Sequence, residues 1–175
     1  MYWQEISGNW FLVPEQPRGI IHFLGGAFVA AAPHLTYRWL LEALYVKGYV
    51  VIATPFVNTF DHGAIAAETH TTFTQGLTYL YKQRPSLAEL PIYGLGHSMG
   101  CKVHLLIGSQ ESVARTGNIF ISFNNFPARK SIPLLDQIIQ LAPDFQLDTQ
   151  FEFTPNPAQT LSLIEQHYPT PYNLL

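Results

Sequence analysis

The chain has 175 residues, of which 47% are hydrophobic and 12% are charged, and its formal net charge is -3. This length and composition predict a single globular domain with a large aromatic core and exclude an intrinsically disordered chain. The slight excess of acidic residues indicates that the protein does not bind nucleic acid, because phosphate recognition requires a basic surface.

The first fifty residues predict three strands and a helix. The segments WQEI and WFLVPE predict two short strands that form an antiparallel hairpin before the main sheet. GIIHFL, residues 19–24, is a continuous apolar and β-branched run that predicts a buried strand. Residues 35–48 predict a helix that stops at Gly48. Its predicted core-facing residues are Trp39, Leu40 and Leu44.

The middle of the chain repeats this alternation. YVVIAT, residues 49–54, predicts the next buried strand, and an amphipathic helix follows from Ile65. The predicted apolar face of that helix contains Phe73, Leu77, Leu80 and Tyr81. Residues 90–96 and 117–123 predict two more strands, with the apolar helix CKVHLLIG, residues 101–108, between them.

Continuous apolar strands that alternate with helices predict an α/β fold, a mostly parallel sheet covered by helices on both faces. We expect one domain over residues 1–175, with two further helices around residues 135–139 and 157–168. Right-handed crossovers bring the strand ends that precede helices to one rim, where ligands bind in such folds. The loops expected at this rim follow Leu24, Thr54, Gly96 and Phe123.

The sequence GHSMG, residues 96–100, lies between a predicted strand and a predicted helix. In a Gly-x-Ser-x-Gly turn, side chains two residues before and after the serine would collide, so both positions are glycine. The serine hydroxyl then lies at a helix N-terminus, whose N–H groups and dipole favour developing negative charge. This context predicts that Ser98 is a nucleophile rather than an inert serine in a glycine-rich turn.

A second glycine-rich stretch, HFLGGAF, ends the strand that is expected to neighbour the Ser98 strand. Acyl transfer passes through an oxyanion that two N–H donors stabilise. We predict that the N–H groups of Met99 and Ala27 have this role, with Phe28 as the alternative to Ala27. The other interpretation of these glycines is an ordinary turn at the end of a strand.

Three segments resemble the α/β-hydrolase family and, within it, a narrower group. They are HFLGGAFVAAAP, TPFVNTFDHGAIA and GLGHSMGCKVH, and the resemblance covers nearly the whole chain. The narrower group is the domain of unknown function 1350 family of cyanobacteria and plastids. The resemblance implies a serine-hydrolase-like protein with Ser98 at the nucleophile position and with no assigned substrate.

The catalytic acid and base are expected outside this sequence. In the α/β-hydrolase order, an acid and then a histidine follow the serine. His104 lies inside the predicted helix after Ser98, and His167 lies near a helix end, where a cation suits the helix dipole. The resemblance implies further strands, so we expect the acid and base beyond residue 175, in a domain that this chain leaves incomplete at its C-terminus. A fragment, an early stop and a naturally short form all stay open.

The rim loops predict an apolar acyl site, because no residue between Leu24 and Pro33 is charged. Its expected substrate-binding residues are Phe28, Phe56, Phe60 and His62, with Val29 and Val57 beside them. Two alternatives for His62 stay open: a catalytic base that Asp61 orients, and a solvated residue next to an Asp61 that caps the helix. These residues predict a serine hydrolase for an apolar acyl ester or thioester. The alternative is a hydrolase-fold protein without catalysis that binds a ligand or a partner.

Composition also limits the cofactors and the cellular locations that we expect for the protein. No pattern of cysteines or histidines predicts a metal or a cofactor, and the single cysteine, Cys101, is expected to be a packed core residue. The N-terminus does not resemble a signal peptide, and no apolar run reaches the ~20 residues that cross a bilayer. We expect a soluble protein of the cytoplasm, or of the plastid stroma in a eukaryote. An apolar sheet edge at residues 117–123 predicts self-association into an oligomer.

Overall fold

The structure is a computed structural model that describes residues 1–27, 29–59, 61–110 and 115–123. Its strands are β1 Gln4–Ile6, β2 Asn9–Leu12, β3 Gly19–Leu24, β4 Tyr49–Ala53, β5 Ile92–His97 and β6 Gly117–Ile121. Its helices are α1 Pro33–Thr36, α2 Arg38–Val46, α3 His62–Gln83 and α4 Met99–Gln110, with a 3-10 helix at Pro85–Glu89. The helices predicted around residues 135–139 and 157–168 lie outside the described residues.

The six strands form one sheet in the order β1-β2-β4-β3-β5-β6. β4, β3, β5 and β6 are parallel, whereas β1 and β2 pair antiparallel with each other and β2 pairs antiparallel with β4. A two-residue turn joins β1 to β2, and both Ser7 and Gly8 have the positive φ that such tight hairpin turns require. The predicted lead-in hairpin and the mostly parallel sheet are therefore confirmed.

Helices cover both faces of the sheet, as the continuous apolar strands predict. Every residue of β3 is buried, and successive side chains point to opposite faces. Ile20 packs in a cluster with Phe73 of α3, whereas Ile21 packs in a cluster with Leu41 of α2. α4 packs on the same face as α3. The strand ends that precede helices therefore meet at one rim.

The helix predicted over residues 35–48 differs from the structure in two respects. It is divided into α1 and α2 by a break at Tyr37, and its fully buried residue is Leu41. Leu40 and Leu44 are partly buried as predicted, but the prediction for Trp39 was wrong, since that side chain is 91% exposed. Trp39 lies two residues before Leu41, which is about 200° around the helix axis and so on the outer face.

A chain of polar side chains crosses the core at the middle of the sheet. His22 of β3 lies with its Nε2 3.1 Å from Thr54 Oγ1, and Thr54 donates to Asn9 Oδ1 at 2.6 Å. The Arg115 guanidinium donates to Nδ1 of His22 at 2.8 Å and to Nδ1 of His104 at 2.6 Å. These bonds place the proton of each neutral ring on Nε2, so His22 donates to Thr54.

The two buried histidines are held in their neutral form. Burial, and then the positive charge of Arg115, lower the pKa of His22 and of His104 well below the ordinary 6.5. The unfolded chain binds protons at both residues below that pH, and the folded chain does not. The free energy of unfolding must therefore decrease as the pH falls through 6.5.

We expect His104→Asn to weaken this pH dependence, because the Asn carbonyl oxygen can accept from Arg115 and does not titrate. Each histidine contributes about 1.4 kcal/mol per pH unit below its ordinary pKa. Urea denaturation between pH 7.5 and 5.5 measures the slope for both proteins. The variant should be less stable at pH 7.5 and lose less stability on acidification. Equal slopes would contradict the assignment of His104 as a neutral core residue.

Candidate active site

Ser98 forms the turn between β5 and α4 by itself. β5 ends at His97 and α4 begins at Met99, so one residue joins strand to helix. Ser98 has a φ of +52°, in the left-handed region that residues other than glycine enter at a cost of about 1–3 kcal/mol. Its hydroxyl therefore lies on a strained turn at the N-terminus of a 12-residue helix.

The two glycines of the turn are required by close backbone contacts. A Cβ on Gly96 would lie 2.6 Å from the backbone nitrogen of Cys101, inside the turn itself. A Cβ on Gly100 would overlap the carbonyl oxygen of Leu24, at the end of β3. The sequence explanation, in which the two positions collide with each other, is thus only partly correct. The second glycine makes room for the neighbouring strand.

Hydrogen bonds leave two N–H groups near the turn without an acceptor in the described part of the chain. The Ser98 N–H donates to Ile121 of β6 at 2.9 Å, and the Cys101 N–H donates to Ser98 at 3.1 Å. Met99 is the first residue of α4, where no intrahelical acceptor exists. Neither its N–H nor that of Ala27 donates to another described residue. These are the two groups that the sequence predicts as oxyanion donors.

The loop after β3 lies against the serine turn. A Cβ built on Gly26 would be 3.5 Å from Ser98 Cβ and 3.2 Å from His97 Nδ1. The Gly26 N–H donates to the Tyr37 hydroxyl at 2.8 Å, and that hydroxyl lies 2.8 Å from His97 Nδ1. No local pattern pointed to Tyr37, because 60 residues separate it from His97. Gly26 and Ser98 are thus close neighbours.

His62 and Asp61 lie at the start of α3. Asp61 accepts the Ala64 N–H at 2.9 Å and caps the helix, which is the structural alternative that the sequence left open. Burial, and then the charge of Lys102, lower the pKa of His62 to about 4, although the Asp61 carboxylate opposes the shift. His62 is therefore a neutral imidazole at pH 7.

The other predicted binding residues divide between the core and the surface. Phe56 is 6% exposed and packs with Leu24 and Met99 in the cluster beneath the rim. Val57 and Val29, on the loops after β4 and β3, are exposed. Phe28 and Phe60 lie outside the described residues.

The remaining histidines near the site have other contacts. His104 is buried against Arg115, which confirms that it is a core residue, and His97 contacts Tyr37. Within the described ranges, no histidine forms a hydrogen bond with the Ser98 hydroxyl. His167 lies outside those ranges. The described residues thus bring together a serine hydroxyl on a strained turn and, near that turn, two N–H groups without an acceptor in those ranges.

The acidic, histidine and cysteine side chains of the described ranges are dispersed. Nowhere in those ranges do three of them come close enough together to hold a metal ion. Of the helices that the structure describes, none combines the length and the apolar character needed to cross a bilayer.

A family model described as "Protein of unknown function (DUF1350)" matches residues 2–175. No curated protein sequence matches the chain.

Solved structures of hydrolases share the fold. A dienelactone hydrolase from Anabaena variabilis matches 71% of this chain and 61% of its own, with a TM-score of 0.53 and 16% identity. A thermostable carboxyl esterase from Bacillus coagulans matches 95% of this chain and 56% of its own, with a TM-score of 0.56 and 19% identity. TT1662 from Thermus thermophilus matches 97% of this chain and 85% of its own, with a TM-score of 0.52 and 15% identity. The similarity establishes the α/β-hydrolase fold, and this chain spans less than two thirds of the first two structures.

The strain at Ser98 predicts an unusual order of stability. Ser98→Gly should be more stable than Ser98→Ala by about 1 kcal/mol, because only glycine adopts this φ without cost. Thr74 is an exposed residue in the middle of α3 and provides the matched control. There the glycine variant should be less stable than the alanine variant by about 1 kcal/mol. Urea denaturation of the four variants measures both differences. The same sign at both positions would contradict the strained turn.

Proposed function

Because the chain belongs to the DUF1350 family of proteins of unknown function, we propose a function from its site: a serine hydrolase whose Ser98 attacks an apolar acyl ester or thioester. The observation that carries the proposal is the strained turn at Ser98, enforced by Gly96 and Gly100. A glycine at position 98 would relieve the strain, so the retained hydroxyl has a cost to stability. Catalysis is the benefit that we assign to it.

In the proposed reaction, Ser98 Oγ attacks the acyl carbon, and the carbonyl oxygen becomes an oxyanion. The N–H groups of Met99 and Ala27 stabilise this charge, and the N-terminus of α4 adds its favourable dipole. The alcohol or thiol then leaves, and water releases the acid from the acyl-serine. Both N–H groups lack a competing acceptor among the described residues, which supports their role.

We place the general base and its acid outside the described residues. His22 and His104 are bonded to Arg115, His97 contacts Tyr37, and the low pKa of His62 makes it a weak base. His167 is the histidine of this chain that follows residue 123. Without a base, the serine hydroxyl is a poor nucleophile, and the oxyanion site alone retains about 10³–10⁴-fold acceleration over water.

A fluorophosphonate probe tests the nucleophile. We expect slow labelling of the chain, located at Ser98 by peptide mass spectrometry, and no labelling of Ser98→Ala. Ser122→Ala is the matched control, because Ser122 also has a positive φ but lies outside the turn. It should be labelled at the parent rate. Labelling that persists in Ser98→Ala, or a parent chain that resists prolonged exposure, would favour a non-catalytic hydrolase-fold protein.

His167→Ala extends the same experiment to the base. Rapid labelling of the parent that His167→Ala abolishes would identify His167 as the base within this chain. Slow labelling that His167→Ala leaves unchanged is the expected result, because the family resemblance implies a base beyond residue 175.

The apolar rim predicts a preference for longer acyl groups. Each buried CH₂ contributes about 0.8 kcal/mol, so p-nitrophenyl octanoate should exceed the acetate in kcat/KM by about tenfold or more, after subtraction of the Ser98→Ala rate. Val57→Asp, at the rim, should reduce this preference. Val46→Asp is the control. Val46 is similarly exposed, but it lies at the C-terminal end of α2, away from the rim. Equal cleavage of acetate and octanoate would contradict an apolar acyl site.

A further inference from the structure

The hydroxyl of Tyr37 connects the loop after β3 to the residue that precedes the nucleophile. It accepts the Gly26 N–H at 2.8 Å and lies 2.8 Å from His97 Nδ1. Because Gly26 supplies the donor of the first bond, we assign the phenol proton to the second, so that Tyr37 donates to His97. Burial raises the pKa of Tyr37 above its ordinary 10, so the phenol keeps this proton at neutral pH.

Gly26 is held at both of its backbone polar groups. Its N–H donates to Tyr37, and its carbonyl oxygen accepts the Val29 N–H at 3.1 Å. The peptide bond from Gly26 to Ala27 is trans, so the Ala27 N–H points away from that carbonyl oxygen. The bond to the Gly26 carbonyl oxygen therefore orients the peptide plane that contains the Ala27 N–H, and the bond from the Gly26 N–H to Tyr37 orients the peptide plane before it.

The Tyr37 ring fits closely against the loop. A Cβ on Gly25 would lie 2.8 Å from Tyr37 Cε2, and one on Gly26 would lie 3.3 Å from the hydroxyl oxygen. The ring also packs edge-on against Phe23, with a centroid separation of 4.7 Å. Since Gly26 also lies beside Ser98, a displacement of the ring would alter the space between Gly26 and the serine.

We propose that Tyr37 is a positioning residue, whose hydroxyl holds Gly26 so that the Ala27 N–H is directed into the oxyanion site beside Ser98. The catalytic part of this inference rests on the proposed function, because an oxyanion forms only if Ser98 is the nucleophile. The positioning of Gly26 does not depend on catalysis and can be measured by itself.

Tyr37→Phe removes the hydroxyl and leaves the ring in place. Tyr49→Phe is the matched control, because the Tyr49 hydroxyl also accepts a hydrogen bond, from Arg18 at 3.2 Å, but at the start of β4 and so at the opposite end of the strands. Amide hydrogen exchange, measured by NMR, should be about tenfold faster at Gly26 and also faster at Val29 in Tyr37→Phe. Both rates should stay at parent values in Tyr49→Phe.

Fluorophosphonate labelling of Ser98 over a range of probe concentrations provides the second measurement. In Tyr37→Phe the saturating rate constant should fall about tenfold, whereas the half-saturating concentration should not change. A general loss of packing would instead change both, together with the urea midpoint. Loss of an oxyanion donor itself costs about 10²–10³-fold, and misdirection of one donor should cost less.

The two measurements separate the two proposals. Unchanged exchange at Val29 would overturn the positioning role whatever the labelling shows. Faster exchange with an unchanged saturating rate would overturn its contribution to the oxyanion site. A parent chain that is not labelled at Ser98 would overturn the proposed function, and exchange at Gly26 and Val29 would then still decide whether Tyr37 positions the loop.

Discussion

The contact between the end of β3 and the first turn of α4 determines the geometry of the site. The Leu24 carbonyl passes so close to Gly100 that no side chain fits between them. Because of this contact, the loop that continues from β3 lies against the serine turn, and a Cβ on Gly26 would lie 3.5 Å from Ser98 Cβ. A looser packing of helix on strand would move the loop after β3 away from the first turn of α4, and with it the two N–H groups to which we assign the oxyanion.

The contact depends in turn on an ordered sheet below it. β3 pairs with β4 on one side and with β5 on the other. The loop that contains Gly26 follows β3, and the serine turn follows β5, so the pairing of these two strands places the loop next to the turn. The buried His22 joins β3 to Thr54 and to Arg115 through both ring nitrogens. Buried polar groups must be paired to avoid a large desolvation cost, so this network favours one arrangement of the strands over others.

The chemistry of the site follows from what the described residues supply and what they do not. A serine hydroxyl on a strained turn can attack a carbonyl carbon. Two N–H groups without an acceptor among the described residues can stabilise the oxyanion that forms. The histidines nearby have structural contacts, so proton transfer is assigned to residues outside the described ranges. Tyr37 adds a neutral phenol that links the loop after β3 to His97.

The sequence by itself determined the features that depend on local chemistry. Continuous apolar strands gave the α/β fold, and GHSMG between a strand and a helix located the turn at Ser98, because both patterns act over a few residues. Local periodicity misplaced Trp39, since an apolar residue on a helix does not show which side meets the sheet. Only the tertiary structure decided that Tyr37 contacts His97 and that Arg115 contacts His22, pairs separated by 60 and 93 residues. Strand order brings those residues together, and no short stretch of sequence encodes it.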